Sequence, residues 1–448
     1  MKRNRYILLA LLAGFIILPT AGFTQDVPED DPFEDDPFFT KPVNEWFSAG
    51  TDQVVERAKS RSQAVVQRRG IDEGNRDVSG LGLHSGNSAL DKMYPFLRFN
   101  RVEKMYIGAH FDDKLSWGVL EDLKPFGSIG YSFGRKEWLY TIGLERFMGF
   151  ERRLKVGFSH HYITDSEDQW RTGWVENSIA TFVTGDDNMD YFSRRGIQAY
   201  SVLRHGNYIE YSLAIMNDSY KSLEETTRWS LFGKKSNSRI NPFIQEGEIQ
   251  MVTAGLSFNR RNVSLSNRFV MSADVYAELA DIGLDSDFEF NRYQAEIRSG
   301  FRIDQTALLR NRIRGGIITG DAPDFKQFAL GGISTMRARS FKSITGTSML
   351  LMNTELDLGK SIGSAGEELE WNNFMNETRF MLFLDLGWMN ELNPLTGSYT
   401  TINDFSFNDV IADVGAGVSF NTIRFELAWP TTDLSGTPVF WVRLNQTF

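Results

Sequence analysis

The chain has 448 residues, 41% apolar and 24% charged, with 39 glycines, 12 prolines and no cysteine, which excludes wholesale disorder, disulfide frameworks and thiol chemistry. A formal charge of −10 and a pI near 5.2 argue against nucleic acid as a partner. After the leader no stretch stays apolar for ~18 positions, so spanning helices are excluded, and 35 Phe, 14 Tyr and 10 Trp favour strands.

The first element is an address. Lys2, Arg3 and Arg5 precede an apolar core from Ile7 to Leu18 and the small exit Thr20-Ala21-Gly22. That order predicts a secretory signal peptide over residues 1–25, its core too short to span a bilayer. Residues 26–43 follow as an acidic tail. Asp26 to Asp36 holds seven acids and two prolines, which repel one another and favour an extended chain. Within 44–92 the spacing of Phe47, Val54, Ala58 and Val65 predicts a helix over Asn44 to Arg69, capped by Asn44 and stopped at Gly70. Such a periplasmic helix can plug a pore, lie on a membrane surface or act as a solvated spacer. No strand-rich docking domain fits between Gln25 and Met93.

From about Val102 the period changes to two. In Val410 to Phe420, Val410, Ala412, Val414, Ala416, Val418 and Phe420 share one face, and Asp413, Gly415, Gly417 and Ser419 lie opposite. In Arg379 to Gly387, Phe380, Leu382, Leu384 and Leu386 oppose Arg379, Met381, Phe383 and Asp385. Between 291 and 301, Tyr293, Ala295 and Ile297 oppose Arg292, Gln294, Glu296 and Arg298. Soluble sandwiches alternate too, but a polar face that mixes Arg, Glu and Gly suits a barrel lumen. Fifteen such runs are readable, at 102–112, 124–134, 137–147, 152–163, 196–205, 207–218, 248–259, 264–276, 289–303, 306–319, 347–359, 378–388, 409–420, 422–430 and 437–448. Most reach the ~9–11 residues that cross a bilayer with tilt. An even number is required when both ends face the periplasm, so the expectation is an all-β, transmembrane antiparallel β-barrel over 93–448. It has 16 strands with one still unread, or 14 as the fallback.

The last run places Phe440, Val442, Leu444 and terminal Phe448 on one face. A strand that ends so has to satisfy its outer edge within lipid, and this pattern resembles the C-terminal signature of bacterial outer-membrane barrels. Upstream, Leu330-Gly331-Gly332-Ile333-Ser334-Thr335-Met336-Arg337-Ala338-Arg339-Ser340-Phe341 is followed by Gly346 and by Asn353-Thr354-Glu355. With Asp385-Leu386-Gly387, Gly415-Ala416-Gly417 and Ala428-Trp429-Pro430, this set resembles the BamA/TamA-type superfamily of outer-membrane assembly and translocation proteins (bacterial surface antigen barrels). The match runs from Phe325 to Phe448 in the family's order, with five runs after the loop. It implies a sixteen-strand barrel with an inward-folded loop, in a reduced member that lacks the family's N-terminal POTRA domains. One departure is Ala338-Arg339, where the family has glycine and an aromatic residue.

The loop can also be argued from charge. An arginine inside a barrel must be paired, since an unpaired buried charge costs several kcal/mol. Alternation turns Glu355 to the lumen with Asn353 and Asp357, and turns Asp385 inward. Arg337 forked onto Glu355 and Asp385 would pin the loop, as the resemblance also implies; the alternative is an exposed loop arginine. Gly331, Gly332 and Gly346 are the loop glycines. Alanine at 338 puts a tight turn there in doubt.

Arg310, Arg312 and Arg314 share one face, a basic stripe that could attract anions, and are expected rather to pair with acids on neighbouring strands. His84, His110, His160, His161 and His205 show no metal spacing, and no nucleophile elbow or phosphate loop is present. The reading is therefore a non-enzymatic barrel with no cofactor or metal. Three classes remain open: a translocase or insertase for protein or lipid, a passive pore, or a structural surface-antigen barrel. The longest candidate external loops are Thr164 to Asp190 and Lys221 to Gln245. Expected partners are outer-membrane lipid and lipopolysaccharide, the barrel-assembly machinery during biogenesis, and a periplasmic or surface protein. The expected place is the bacterial outer membrane with the tail in the periplasm. Replacing Phe448 by Lys should lower the amount of folded protein in outer-membrane fractions; wild-type amounts would contradict the C-terminal signal.

Overall fold

A computed structural model describes residues 93–111, 123–148, 153–206, 208–233, 239–259, 269–284, 286–303, 307–359, 378–390, 392–393, 398–399, 405–420 and 423–444. The leader, acidic tail, N-terminal helix and Phe448 lie outside them. The first eleven strands are β1 (Met93–Asn100), β2 (Lys104–Phe111), β3 (Leu123–Ser132), β4 (Glu137–Met148), β5 (Leu154–Asp165), β6 (Phe192–His205), β7 (Ile209–Ser222), β8 (Gly247–Phe258), β9 (Phe269–Leu279), β10 (Phe290–Arg302) and β11 (Ala307–Gly320). A helix, α1 (Trp174–Val183), lies between β5 and β6. After β11 come the three-residue strands β12 (Phe328–Leu330) and β13 (Ile344–Gly346), then β14 (Ser348–Leu358) and β15 (Thr378–Met389). The two-residue pair β16 (Leu392–Asn393) and β17 (Ser398–Tyr399) precedes β18 (Ile411–Phe420), β19 (Ile423–Pro430) and β20 (Val439–Arg443).

Sixteen strands form one sheet in the order β1 to β11, β14, β15, β18, β19, β20, every neighbour antiparallel and adjacent in sequence among these sixteen. The pair β12–β13 stands apart inside the connection from β11 to β14. The strand unread in the sequence is β1. Its Met-Tyr-Pro-Phe opening carries Pro95, which weakens a strand reading, and only Arg101, Val102 and Glu103 separate it from β2. The run at 102–112 is β2 alone.

The side chains are distributed inside out. Ile142 and Leu144 on β4, Leu213 on β7, Ile297 on β10 and Phe380 and Leu382 on β15 are exposed on the outer face. Arg194, Asp218, Glu296, Arg314, Glu355, Asp385 and Arg424 are buried on the inner face. The chemistry of a bilayer requires this arrangement: each strand gives its backbone groups to its neighbours, apolar side chains meet acyl chains, and charge is kept inside. No helix of the described residues is long and apolar enough to cross a membrane. His161 and His160 point to opposite faces as the pleat demands, and His161 Nε2 lies 3.0 Å from Asp218.

Aromatic rings on the inner face lie close to glycine backbone. At Gly157 a Cβ would collide with Cζ of Tyr200. The Tyr200 hydroxyl donates to Glu145, which also takes Lys155 Nζ at 2.8 Å. Gly157→Ala should therefore displace the ring and lower stability by about 1–3 kcal/mol, visible as a lower temperature at which the barrel loses its folded gel mobility. Unchanged mobility would show that the ring has room to move.

Candidate functional site

The connection from β11 to β14 turns back into the barrel. A short helical turn at Asp324–Lys326 leads to the β12–β13 ladder, in which Phe328 faces Gly346 and Leu330 faces Ile344. Between those strands the backbone is left-handed at Gly331 (φ +106°) and Gly332 (φ +89°), where a side chain would be strained. Ser334 (φ +61°) and Lys342 (φ +49°) share that region, but Ala338 does not. The doubt attached to alanine at 338 is thereby removed: the turn is made elsewhere, so a side chain is accommodated. The Ala338 N–H donates to Asp413 Oδ2 at 3.0 Å.

Arg337, 1% exposed, stands at the centre of a carboxylate cluster supplied by neighbouring strands. Its Nε donates to Asp385 Oδ2 at 2.8 Å and its Nη2 to Asp385 Oδ1 at 2.7 Å, a two-pronged contact. Its Nη1 reaches Glu355 Oε1 at 2.7 Å and Glu426 Oε2 at 3.3 Å. The guanidinium lies 3.5 Å over the Phe383 ring, and its carbonyl accepts from Trp441 Nε1 at 2.8 Å. Register brings these groups together. Asn353 on β14 faces Asp385 on β15, which faces Asp413 on β18. Asn353 Nδ2 donates to Asp385 Oδ1 at 2.7 Å within the wall and to the Thr335 carbonyl at 2.9 Å, which couples wall to loop.

The structure thus brings Arg337, Glu355 and Asp385 into contact, with Gly331, Gly332 and Gly346 shaping the loop around them. Phe440 and Val442 face outward on β20, while Leu444 lies just beyond it. Sequence reasoning missed Arg424, Glu426, Asp413 and Trp441. Arg424 Nη2 contacts Glu355 and Glu426, each at 2.8 Å. Alternation against outward Leu427 carried the signal for Arg424 and Glu426, and Trp441 lay on the opposite face of its run from Phe440. The three β11 arginines divide. Arg310 pairs with Asp357 at 2.8 Å and Arg314 with Glu296 at 2.9 Å. Arg312 instead donates to Asn353 Oδ1 at 2.6 Å and to the Ser334 carbonyl, so part of that stripe serves the loop.

A second loop, between β5 and β6, locks against the first. In this segment, read from the sequence as a candidate external loop, Ser166, Asp168, Gln169 and Arg171 are buried. Arg171 donates to the carbonyls of Ala329 and Gly331, and Ser334 Oγ donates back to the Arg171 carbonyl at 2.6 Å. Lys342 reaches Asp168 at 2.7 Å and Asp190 at 2.9 Å. Lys326 and Arg292 meet Glu167 at 2.6 and 2.9 Å. Burial pushes the Glu167 carboxyl up, but these two cations outweigh it and hold it at about 2. At Asp190 burial is likewise outweighed, by Lys342 and Arg239, and its carboxyl stays well below the usual range.

Sixteen outward-greasy strands around a charged, loop-filled interior define a bacterial outer-membrane β-barrel. The Omp85 superfamily domain matches residues 141–448, more than half of the chain, and the protein belongs to that superfamily. The chain is similar to the crystal structure of BamA from Haemophilus ducreyi lacking POTRA domains 1–3. Identity is 12%, the TM-score is 0.51, and the match covers 79% of this chain and 69% of that one. It also matches CdiB from Acinetobacter baumannii at 11% identity and TM-score 0.40, over 75% and 55% of the two chains. CdiB from Escherichia coli matches at 12% and 0.41, over 77% and 60%. No curated protein matches.

A carboxylate held low stabilises the fold fully above its unfolded value and ceases to do so as pH falls through its folded value. The Glu167 contribution should therefore survive at pH 5 and disappear only as pH approaches about 2. Lys326→Met should move that acid loss to higher pH in a heat-resistance titration; an unmoved curve would show that Arg292 alone suffices.

Proposed function

We propose that this barrel handles other molecules at the outer membrane, inserting or translocating protein or lipid, with its inward loop pinned by Arg337. The observation that carries the reading is the cluster around that arginine. Its loop is held through Asp385, Glu355, Glu426 and Asp413, carboxylates on β15, β14, β19 and β18. In a passive pore two interlocked loops across the interior would narrow the lumen. An arrangement that fixes a loop to several neighbouring strands instead ties the loop's position to the spacing of those strands. On this reading the N-terminal segment lies in the periplasm and meets the client or a partner protein there. Lipid and lipopolysaccharide surround the wall, and the barrel-assembly machinery installs it. No catalytic residue, cofactor or metal takes part.

The test is reconstitution in vesicles with a labelled unfolded barrel client and, separately, with a headgroup-labelled lipid. The wild type should speed insertion of the client or transfer of the lipid above empty vesicles, and Arg337→Ala should lose most of that gain. Equal rates with and without protein, together with a steady ion conductance, would favour the passive pore.

Arg337→Ala also leaves buried carboxylates without their partner, a change that costs about 3–5 kcal/mol. It should lower heat resistance of the folded barrel without preventing membrane insertion. Arg337→Lys should be intermediate, because an ammonium keeps the charge and loses the fork. Heat resistance unchanged in both variants would contradict the pin.

A further inference from the structure

We infer that α1 is part of the barrel wall, seated between the first strand and the last, with its apolar face against the acyl chains of the bilayer. In the sheet order β1 and β20 are the terminal strands among the described residues. β1 and the residue just after β20 each give a backbone N–H to α1. The Phe99 N–H donates to Ser178 Oγ at 3.1 Å, and the Leu444 N–H donates to Glu176 Oε1 at 3.0 Å. Arg443 Nε on β20 adds a contact with Glu176 at 3.4 Å.

The Phe99 contact is made at the strand's free edge. Phe99 faces Met105 on β2, and the Met105 carbonyl accepts from Phe133 on the other side. Antiparallel pairs alternate between bonding each other and bonding away, so Phe99 also points away from β2. An exposed edge in a bilayer leaves such groups without a partner. Here the hydroxyl of Ser178 and the carboxylate of Glu176 take that place.

The helix wraps obliquely around the β1 edge. Trp174 stacks on the Arg98 guanidinium at 4.5 Å on the inner side, Ser178 meets the edge, and Phe182 meets the Phe99 ring at 5.4 Å on the side shared with outward Leu97. At about 100° per residue, these three positions form the flank toward β1, and Glu176 lies on the flank toward β20. Between the flanks, on one side, stand Val175 and Ile179, exposed by 59% and 45%, with Phe182, exposed by 38%, at their border with the β1 flank. On the other stand Asn177 and Thr181, exposed by 1% and 3%. Asn177 donates to Asp187 and Tyr191 inside the barrel, at 2.9 and 2.7 Å. The helix therefore repeats the inside-out pattern of the strands beside it. Its apolar side continues Leu97 on β1 and Phe440 and Val442 on β20, which fixes acyl chains as the occupant. Trp229 extends the patch by packing on Phe182 at 5.2 Å.

The chain lacks cysteine, so a single label can be placed without background. Ile179→Cys, carrying an environment-sensitive fluorophore, is reconstituted in phosphatidylcholine vesicles and quenched by nitroxide on the acyl chains or by iodide in water. Phe440→Cys serves as the outer-wall reference and Phe243→Cys, in an exposed loop, as the aqueous one. The label at 179 should be quenched by the lipid nitroxide as at 440 and lose the iodide quenching seen at 243. Iodide quenching equal to that at 243 would overturn the proposal, as would its repetition at Val175→Cys. Adding Glu176→Ala and Ser178→Ala should bring iodide quenching back at 179. No change in that variant would overturn the role given to the two strand edges.

Discussion

A bilayer offers no hydrogen-bond partner and no solvation for charge, and the rest of this structure follows from that constraint. Each of the sixteen strands bonds its neighbours in the sheet, and the apolar faces go outward. The charged residues that remain are then confined to an interior where each must find a counterpart. Arg194 with Asp165 and Asp218, Arg314 with Glu296, and Arg310 with Asp357 meet that demand across strands. The fold is in this sense an inverted globule, its core ionic and its surface greasy.

Within such a core, Arg337 is an addition from outside the wall. The loop that brings it in also brings backbone groups that need partners. Those come from Arg171, Arg312, Asn353 and Asp413. Removing one partner of a buried ionic group costs far more than its net contribution when paired, so the cluster resists partial opening. In the proposed reading this makes the loop and the strands β14 to β19 a single unit, displaced together or not at all. The β5–β6 loop, through Lys342 with Asp168 and Asp190, adds a second hold on the same segment.

Much of this was legible in the sequence because period two survives in long strands. Phe380, Leu382, Asp385 and Glu355 sit on the faces that alternation gave them, and the glycine pair 331–332 marks the left-handed turn. Other parts were not legible. β1 escaped because Pro95 breaks the strand signal and a three-residue turn with no glycine joins it to β2. The burial of Ser166, Asp168, Gln169 and Arg171 escaped because polar side chains read as solvated loop until their partners on another loop are known. Arg312 escaped for the same reason: a carbonyl partner such as that of Ser334 leaves no trace in side-chain pattern. Pairings between distant segments are set by register and by loop return, neither of which is a local property.

The central claim is that the arginine of the inward loop and the carboxylate of the wall act as one unit. A double-mutant cycle on Arg337→Ala and Asp385→Ala, read by thermal unfolding of the membrane-inserted barrel, measures it most directly. The account predicts a coupling energy of about 1–3 kcal/mol, the double variant losing less than the sum of the singles. Strictly additive losses would contradict it.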